Sequence, residues 1–305
     1  MKKEGEKSKL KPIILTVVAF LVIIFLILPL SFSLFNGTKI GNVALIPING
    51  VITGNGGSIL GQGTISSSEI VEYIEKANSD IQIQAIVIEI NSPGGSAVAS
   101  DEIAAAILKV EKPVVAMIRE VGASGGYWIA SATDHIIANR MSITGSIGVI
   151  SSYLEFSGLM EEYGVGYERL VAGKYKDMGA PFKKLNSEEK KIMQSKLDKI
   201  HDYFVREIAN NRELSESEVK KLATGEFFLG VEALDNGLID QLGNKDTTKE
   251  YLMENYELKE VDFVVYQKEV GFLDILTGVM SKMFFNIGEG IGSIFVEQPN
   301  SIMLM

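Results

Sequence analysis

The chain has 305 residues, 46% of them apolar and 22% charged, with a formal net charge of −10 and no cysteine. This composition supports a globular core and excludes a cysteine nucleophile, an iron–sulfur cluster, a cysteine-based zinc site and disulfides. The acidic balance argues against a nucleic-acid partner, and two histidines, His135 and His201, are too few for a three-histidine metal centre, so no cofactor or metal is expected.

Charge is concentrated at the amino terminus. Residues 1–11 carry Lys2, Lys3, Lys7, Lys9 and Lys11 against Glu4 and Glu6, and the next charged residue is Lys39. Residues 13–30 are nearly all aliphatic; eighteen helical residues would reach about 27 Å, close to the hydrocarbon thickness of a bilayer. A cleaved signal peptide would have a shorter apolar run ending in a small-x-small site, and the nearest match, Ser31-Phe32-Ser33, is poor. The expectation is therefore an uncleaved single-pass anchor over residues 12–35. The lysines before it would be cytoplasmic by the positive-inside rule, and the domain at 39–266 would lie outside the cell membrane.

Residues 42–53 read as a strand with a turn at Asn49-Gly50, followed by a glycine-rich loop at 54–63. Ser66 and Glu69 have capping-box spacing and open a helix with Ile70, Val71, Ile74 and Ala77 on its apolar side. Short apolar strands are expected at 85–90, 113–118 and 135–138, with helices at 100–110 and from Gly125 to about Ala132 between them. A long helix follows at 187–211, with Ser187 as its cap and Glu188 and Glu189 in its first turn. Alternating strands and helices indicate an α/β fold with largely parallel pairing.

Two strand-to-helix turns hold Gly-Gly pairs, Gly94-Gly95 and Gly125-Gly126. Glycine lets backbone approach a ligand and frees N–H groups that can stabilise an oxyanion. Ser124 sits in the second turn, where a nucleophile would be exposed at a strand end with its own N–H facing the same space, as in a nucleophile elbow but without G-x-S-x-G. A serine needs a base. His135 lies in an apolar strand pattern and His201 in a charged helix, so each reads as structural or solvated. A lysine serves if burial lowers its pKa from about 10.4 toward 7–8, which requires a neutral hydrogen-bonding partner. Lys174 and Lys176 are both candidates from the residues alone.

At these residues the sequence resembles the signal peptide peptidase A family, also called protease IV, in its half-length membrane-anchored form. The matching stretches run in family order: Asn91-Ser-Pro-Gly-Gly95, Ala123-Ser-Gly-Gly-Tyr127, Thr144-Gly-Ser-Ile-Gly-Val149, Gly173-Lys-Tyr-Lys-Asp177 and Gly237-Leu-Ile-Asp-Gln-Leu-Gly243. The resemblance implies a Clp protease/crotonase-like fold of repeated β-β-α units and a serine/lysine dyad. It makes Ser124 the nucleophile, Lys176 the general base, Ser146 the hydroxyl that holds the lysine amine, and the Gly95 N–H part of the oxyanion hole. Ser96 stands where the family often has a further glycine.

The implied activity is that of a membrane-bound serine endopeptidase degrading remnant signal peptides and other apolar peptides. Longer members carry two related halves that share the dyad. A single-copy chain would then take Lys176 from a neighbouring subunit, giving a homo-oligomeric ring. The alternatives are a stomatin-associated type of protease cleaving one membrane partner, or a non-catalytic crotonase-like scaffold. Residues 267–305 form an apolar tail with helical spacing at Phe272, Leu273, Ile275, Leu276, Val279, Met280, Met283, Phe284 and Ile287, read as a packing or assembly segment.

Overall fold

The computed structural model describes residues 4–27, 41–59, 62–268, 280 and 283–288. Residues 41–267 form one unit and the two terminal segments another.

The larger unit is built on an eight-stranded sheet. Its strands are β1 (Val43–Asn49), β5 (Ala85–Ser92), β6 (Val114–Ala123), β7 (His135–Ala138), β8 (Ile143–Gly145), β9 (Phe227–Leu229), β10 (Gln241–Leu242) and β11 (Phe263–Val265). The order is β10-β7-β6-β5-β1-β11, all parallel; β6 also pairs with β8, which alone runs antiparallel to β9. The parallel α/β expectation therefore holds. Among the described residues β2 (Ile52–Thr53), β3 (Gly57–Ile59) and β4 (Gln62–Ser66) make a separate small sheet, so the expected glycine-rich loop contains strand.

The central strands are buried on both faces, which is why they read as continuous apolar runs. On one face Ile46, Ile48, Ile86, Ile88, Ile90, Ala116 and Ile118 pack with α2 (Ser67–Ser79), α3 (Ala97–Ile107), α4 (Gly125–Ser131) and α6 (Ser187–Asn211). On the other, Val43, Leu45, Val87, Val115 and Met117 pack with Leu252 of α9 (Lys245–Asn255).

Local chemistry sets the helix starts. The Ser66 side chain accepts from the Glu69 N–H, as the capping-box spacing anticipated. Helix α3 begins three residues earlier than expected because Ser96 caps it, its hydroxyl accepting from the Ala99 N–H. Ser96 is thus a helix cap where a glycine could not act as one through a side chain. The long helix has the expected span, but its cap is Asn186 and not Ser187: Asn186 and Glu189 bond reciprocally to each other's backbone N–H. Strand β6 runs five residues past its expected end, up to Ala123, because β7 pairs with its first half and β8 with its last three residues.

In the terminal unit, α1 (Glu4–Val22) continues as a π-helical turn, Ile23–Ile27. Among the described residues no helix is long and apolar enough to cross a membrane. The uncharged part of α1, residues 12–22, measures only about 16 Å, and residues 28–35 of the expected anchor lie outside the described residues. Most of the tail does so too; of it, residues 283–288 are helical, with Met283, Phe284, Phe285 and Ile287 exposed.

Candidate active site

Strand β6 delivers Ser124 to the carboxyl edge of the sheet in an unusual backbone conformation, φ 52° and ψ −121°. A non-glycine residue there is strained by about 1–3 kcal/mol and persists only when its surroundings hold it. They do so from both sides. The Ser124 N–H donates to the Gly145 carbonyl at 2.8 Å, and the Ser124 carbonyl accepts from the Trp128 N–H at 2.9 Å. The side chain makes no capping bond, which leaves the half-buried hydroxyl free to face outward.

The Ser124 N–H is therefore spent on β8, contrary to the expectation that it faces the same space as the hydroxyl. The next N–H, that of Gly125, opens α4 and has no acceptor within its own helix. Of the amides that the second glycine turn was expected to free, it is the one next to Ser124.

The first glycine turn lies against the second. A Cβ on Gly94, at φ 95°, would sit 2.7 Å from the Gly125 nitrogen and 3.0 Å from the Ser124 Cβ. A Cβ on Gly95 would sit 2.1 Å from the Ile52 carbonyl oxygen, because the turn adds to β2: Ile52 N–H donates to Gly94 and Ser96 N–H to Ile52, both at 2.9 Å. Buried Ser92 fixes the turn's entry, donating to the Gly50 carbonyl at 2.6 Å and accepting from the Gly94 N–H at 3.1 Å. The Asn91 side chain ties it to β6 through the Val121 N–H. Glycine is required at both positions by backbone contact, and the two N–H groups end close together: a Cβ on Gly125 would lie 3.4 Å from the Gly95 nitrogen.

Beside these groups opens a cavity of about 340 Å³. Gly95, Ser124 and Gly125 line one side; Trp128, Val149, Ile150, Leu197, Ile200 and Phe204 supply an apolar remainder. Trp128 and Phe204 stack with centroids 4.8 Å apart. The spacing of Leu197, Ile200 and Phe204 on α6 was a helical stripe readable in the sequence, but its facing partner was not.

The other expected residues lie elsewhere. Ser146, also at positive φ (49°), is held by its N–H on the Glu226 carbonyl and its hydroxyl on the Gly225 carbonyl at 3.3 Å. Lys176 sits in an exposed turn, and its amine has no partner among the described residues. Neither Ser146 nor Lys176 lines the cavity. Lys174 is distinguished from Lys176 by its partner: its amine bonds Glu188 at 2.6 Å, and that hydrogen bond raises its pKa above the ordinary lysine value. A lysine held protonated cannot serve as a base near neutrality.

Neither histidine lines the cavity. His135 stacks on Tyr251 at 3.8 Å and contacts Gln241, with burial lowering its pKa, while a ring nitrogen of His201 lies 3.0 Å from the Ala223 carbonyl. Among the described residues no cluster of His, Asp or Glu could hold a metal ion.

The model of peptidase family S49 matches residues 106–259. A Methanocaldococcus jannaschii protein named as a protease is 31% identical over 264 residues, 86% of this chain and 84% of its own. An Enterococcus faecium protein named as a signal peptide peptidase is 32% identical over 241 residues, 78% of this chain and 70% of its own. Protease 4 of Salmonella typhi is 29% identical over 268 residues, 87% of this chain but 41% of that longer protein.

Proposed function

The chain belongs to peptidase family S49, the signal peptide peptidase A family, and is a serine peptidase; from that premise we propose that Ser124 is its nucleophile and Lys176 its general base. The observation that carries this reading is the strained, outward-facing Ser124 beside two glycine N–H groups at the mouth of an apolar cavity. The Ser124 hydroxyl attacks the scissile carbonyl while the neutral Lys176 amine takes its proton. The developing oxyanion accepts from the N–H groups of Gly95 and Gly125, the kind of donor worth about 2.7–4 kcal/mol each in transition-state stabilisation. The ammonium returns the proton to the leaving amine, and water then releases the acyl group by the same base. Ser146 orients the lysine amine.

An exposed Lys176 that lies off the cavity supports assembly. A lysine base works from a desolvated site, so an exposed amine must be covered before it can act. We assign that cover to a neighbouring subunit in a homo-oligomeric ring, with Ser124 of one copy served by Lys176 of the next. A head-to-tail contact of this kind closes when its rotation permits.

The apolar wall of Trp128, Val149, Leu197, Ile200 and Phe204 suits apolar peptide side chains. Remnant signal peptides are the substrate class proposed, met outside the cell membrane by a domain anchored through the amino-terminal helix. The test is labelling by a serine-reactive fluorophosphonate in the wild type beside Ser124→Ala. Labelling lost only in the variant supports the assignment. A wild type that never labels favours the non-catalytic scaffold, and cleavage confined to one membrane protein favours the stomatin-associated type of protease.

A further inference from the structure

Residues 150–188 contain no buried side chain, yet they carry Lys176. The one helix wholly inside that stretch, α5 (Ser157–Glu162), buries nothing. Order in this arm has no hydrophobic core behind it; besides the Tyr167–Phe182 ring contact it draws on directed polar contacts.

Those contacts converge on Asp177, the residue next to the lysine. Its carboxylate takes a two-pronged bond from Arg169, through Nε to Oδ2 and through Nη2 to Oδ1 at 2.8 Å, and the Lys183 amine lies 3.4 Å from that same Oδ1. Arg169 also donates to the Lys174 carbonyl at 3.3 Å, closing the turn around Lys176. Lys183 in turn bonds Glu189 at 2.5 Å, and Glu189 is buried to 2% exposure while capping α6. A chain of alternating charges thus runs from the Lys176 turn to the first turn of α6, the helix whose Leu197, Ile200 and Phe204 line the Ser124 cavity. Bidentate arginine–carboxylate pairs fix direction as well as distance, and the Asp177 side chain is only 10% exposed.

We propose that Asp177 is a positioning residue for Lys176: it fixes the turn that presents the amine, through Arg169 and through the Lys183–Glu189 pair. The proposal rests on Lys176 being the base. Arg169 holds the Asp177 carboxyl well below the usual carboxylate range, with Lys183 adding to it, so the clamp is charged throughout the working pH range. Asp177 itself touches no reacting atom. It acts by limiting where the amine can be when the substrate carbonyl arrives, and misplacement by about 1 Å can cost about 100-fold in rate.

The experiment is a kinetic cycle on the full chain with a fluorogenic apolar peptide, comparing wild type, Asp177→Asn, Asp177→Glu, Lys176→Ala and the Asp177→Asn/Lys176→Ala double variant. Asp177→Asn is near-isosteric and should lower kcat by about 10- to 100-fold with KM little changed. Asp177→Glu, which keeps the charge, should recover part of that loss. In the Lys176→Ala background Asp177→Asn should lower the residual rate no further, because there is no amine left to place. Lys183→Met, which breaks the link between Asp177 and Glu189, should lower kcat in the same sense. An Asp177→Asn enzyme with wild-type kcat overturns the proposal, as does an equal further loss in the Lys176→Ala background, which would mark a general structural role. Full activity in Lys176→Ala alone would instead remove the base assignment beneath it.

Discussion

The Ser124 turn and the Lys176 arm are ordered by opposite means. Ser124 follows a strand whose inner residues are buried on both faces, and backbone atoms less than 3.0 Å from an added Cβ fix Gly94, Gly95 and Gly126 around it. Lys176 sits in a segment without one buried residue, held by Asp177, Arg169, Lys183 and Glu189 and flanked by exposed Leu154, Leu159, Val165 and Leu170. The turn proposed to supply the nucleophile is held within one chain, and the arm proposed to supply the base leaves apolar side chains exposed.

The largest expected effect breaks the first region chemically. Ser124→Ala should remove several orders of magnitude of peptide hydrolysis while the fold persists, since the new methyl replaces a hydroxyl that caps nothing. Turnover at the wild-type rate would move the nucleophile elsewhere. Next comes the second region: Lys176→Arg should be inactive, because a guanidinium does not deprotonate near neutrality. Lys174→Arg, which keeps the charge opposite Glu188, should retain activity. The reverse pattern in initial rates would exchange the two lysines. In wild type, rate should rise with pH as the base loses its proton and stay high on the alkaline side.

Stability measurements sharpen the same contrast. Ile88 is fully buried in β5, and Ile88→Ala should cost about 2–5 kcal/mol in denaturant unfolding. Leu170 is 95% exposed, so Leu170→Ala should change unfolding of the catalytic unit by less than about 0.5 kcal/mol while loosening subunit assembly in sedimentation. A stability loss for Leu170→Ala comparable to Ile88→Ala would mean that the arm is packed after all.

The smallest effect expected is on acid titration of the arm. Because Asp177 is depressed in the folded chain, its contribution is fully present above the unfolded carboxyl value of about 3.9 and disappears only as pH falls through the lower folded value. Hydrogen exchange in residues 169–189, corrected for intrinsic rates, should show protection kept at about pH 4 and lost only below it. Loss already near pH 5 would place another group in control.

The two regions also differed in how far the sequence revealed them. Continuous apolar runs such as 85–90, bounded by glycine turns, disclosed the buried parallel strands and the place of Ser124. Which amide of the second turn stays available was not legible, because nothing in Gly-Gly tells which one a neighbouring strand will occupy; it took β8 and its Gly145 carbonyl to engage that of Ser124. The cap of α6 moved from Ser187 to Asn186 because either residue can cap, and the reciprocal bond with Glu189 decides between them. The arm was opaque for a different reason. Its order comes from pairs eight and six residues apart in a stretch with little regular structure, Arg169 with Asp177 and Lys183 with Glu189, and no periodicity announces such pairs. The resemblance, not the residue pattern, chose Lys176; the structure adds that Lys174 is paired with Glu188.

Whether these regions meet across subunits is tested most directly by complementation. Ser124→Ala and Lys176→Ala are each expected to be inactive; the two proteins are purified, dissociated, mixed and reassembled. An intersubunit dyad places an intact Ser124 beside an intact Lys176 at some interfaces, and peptide hydrolysis should partly return. Mixed assemblies that form, as shown by differently tagged copies co-purifying, yet stay inactive would contradict it and place both residues in one chain.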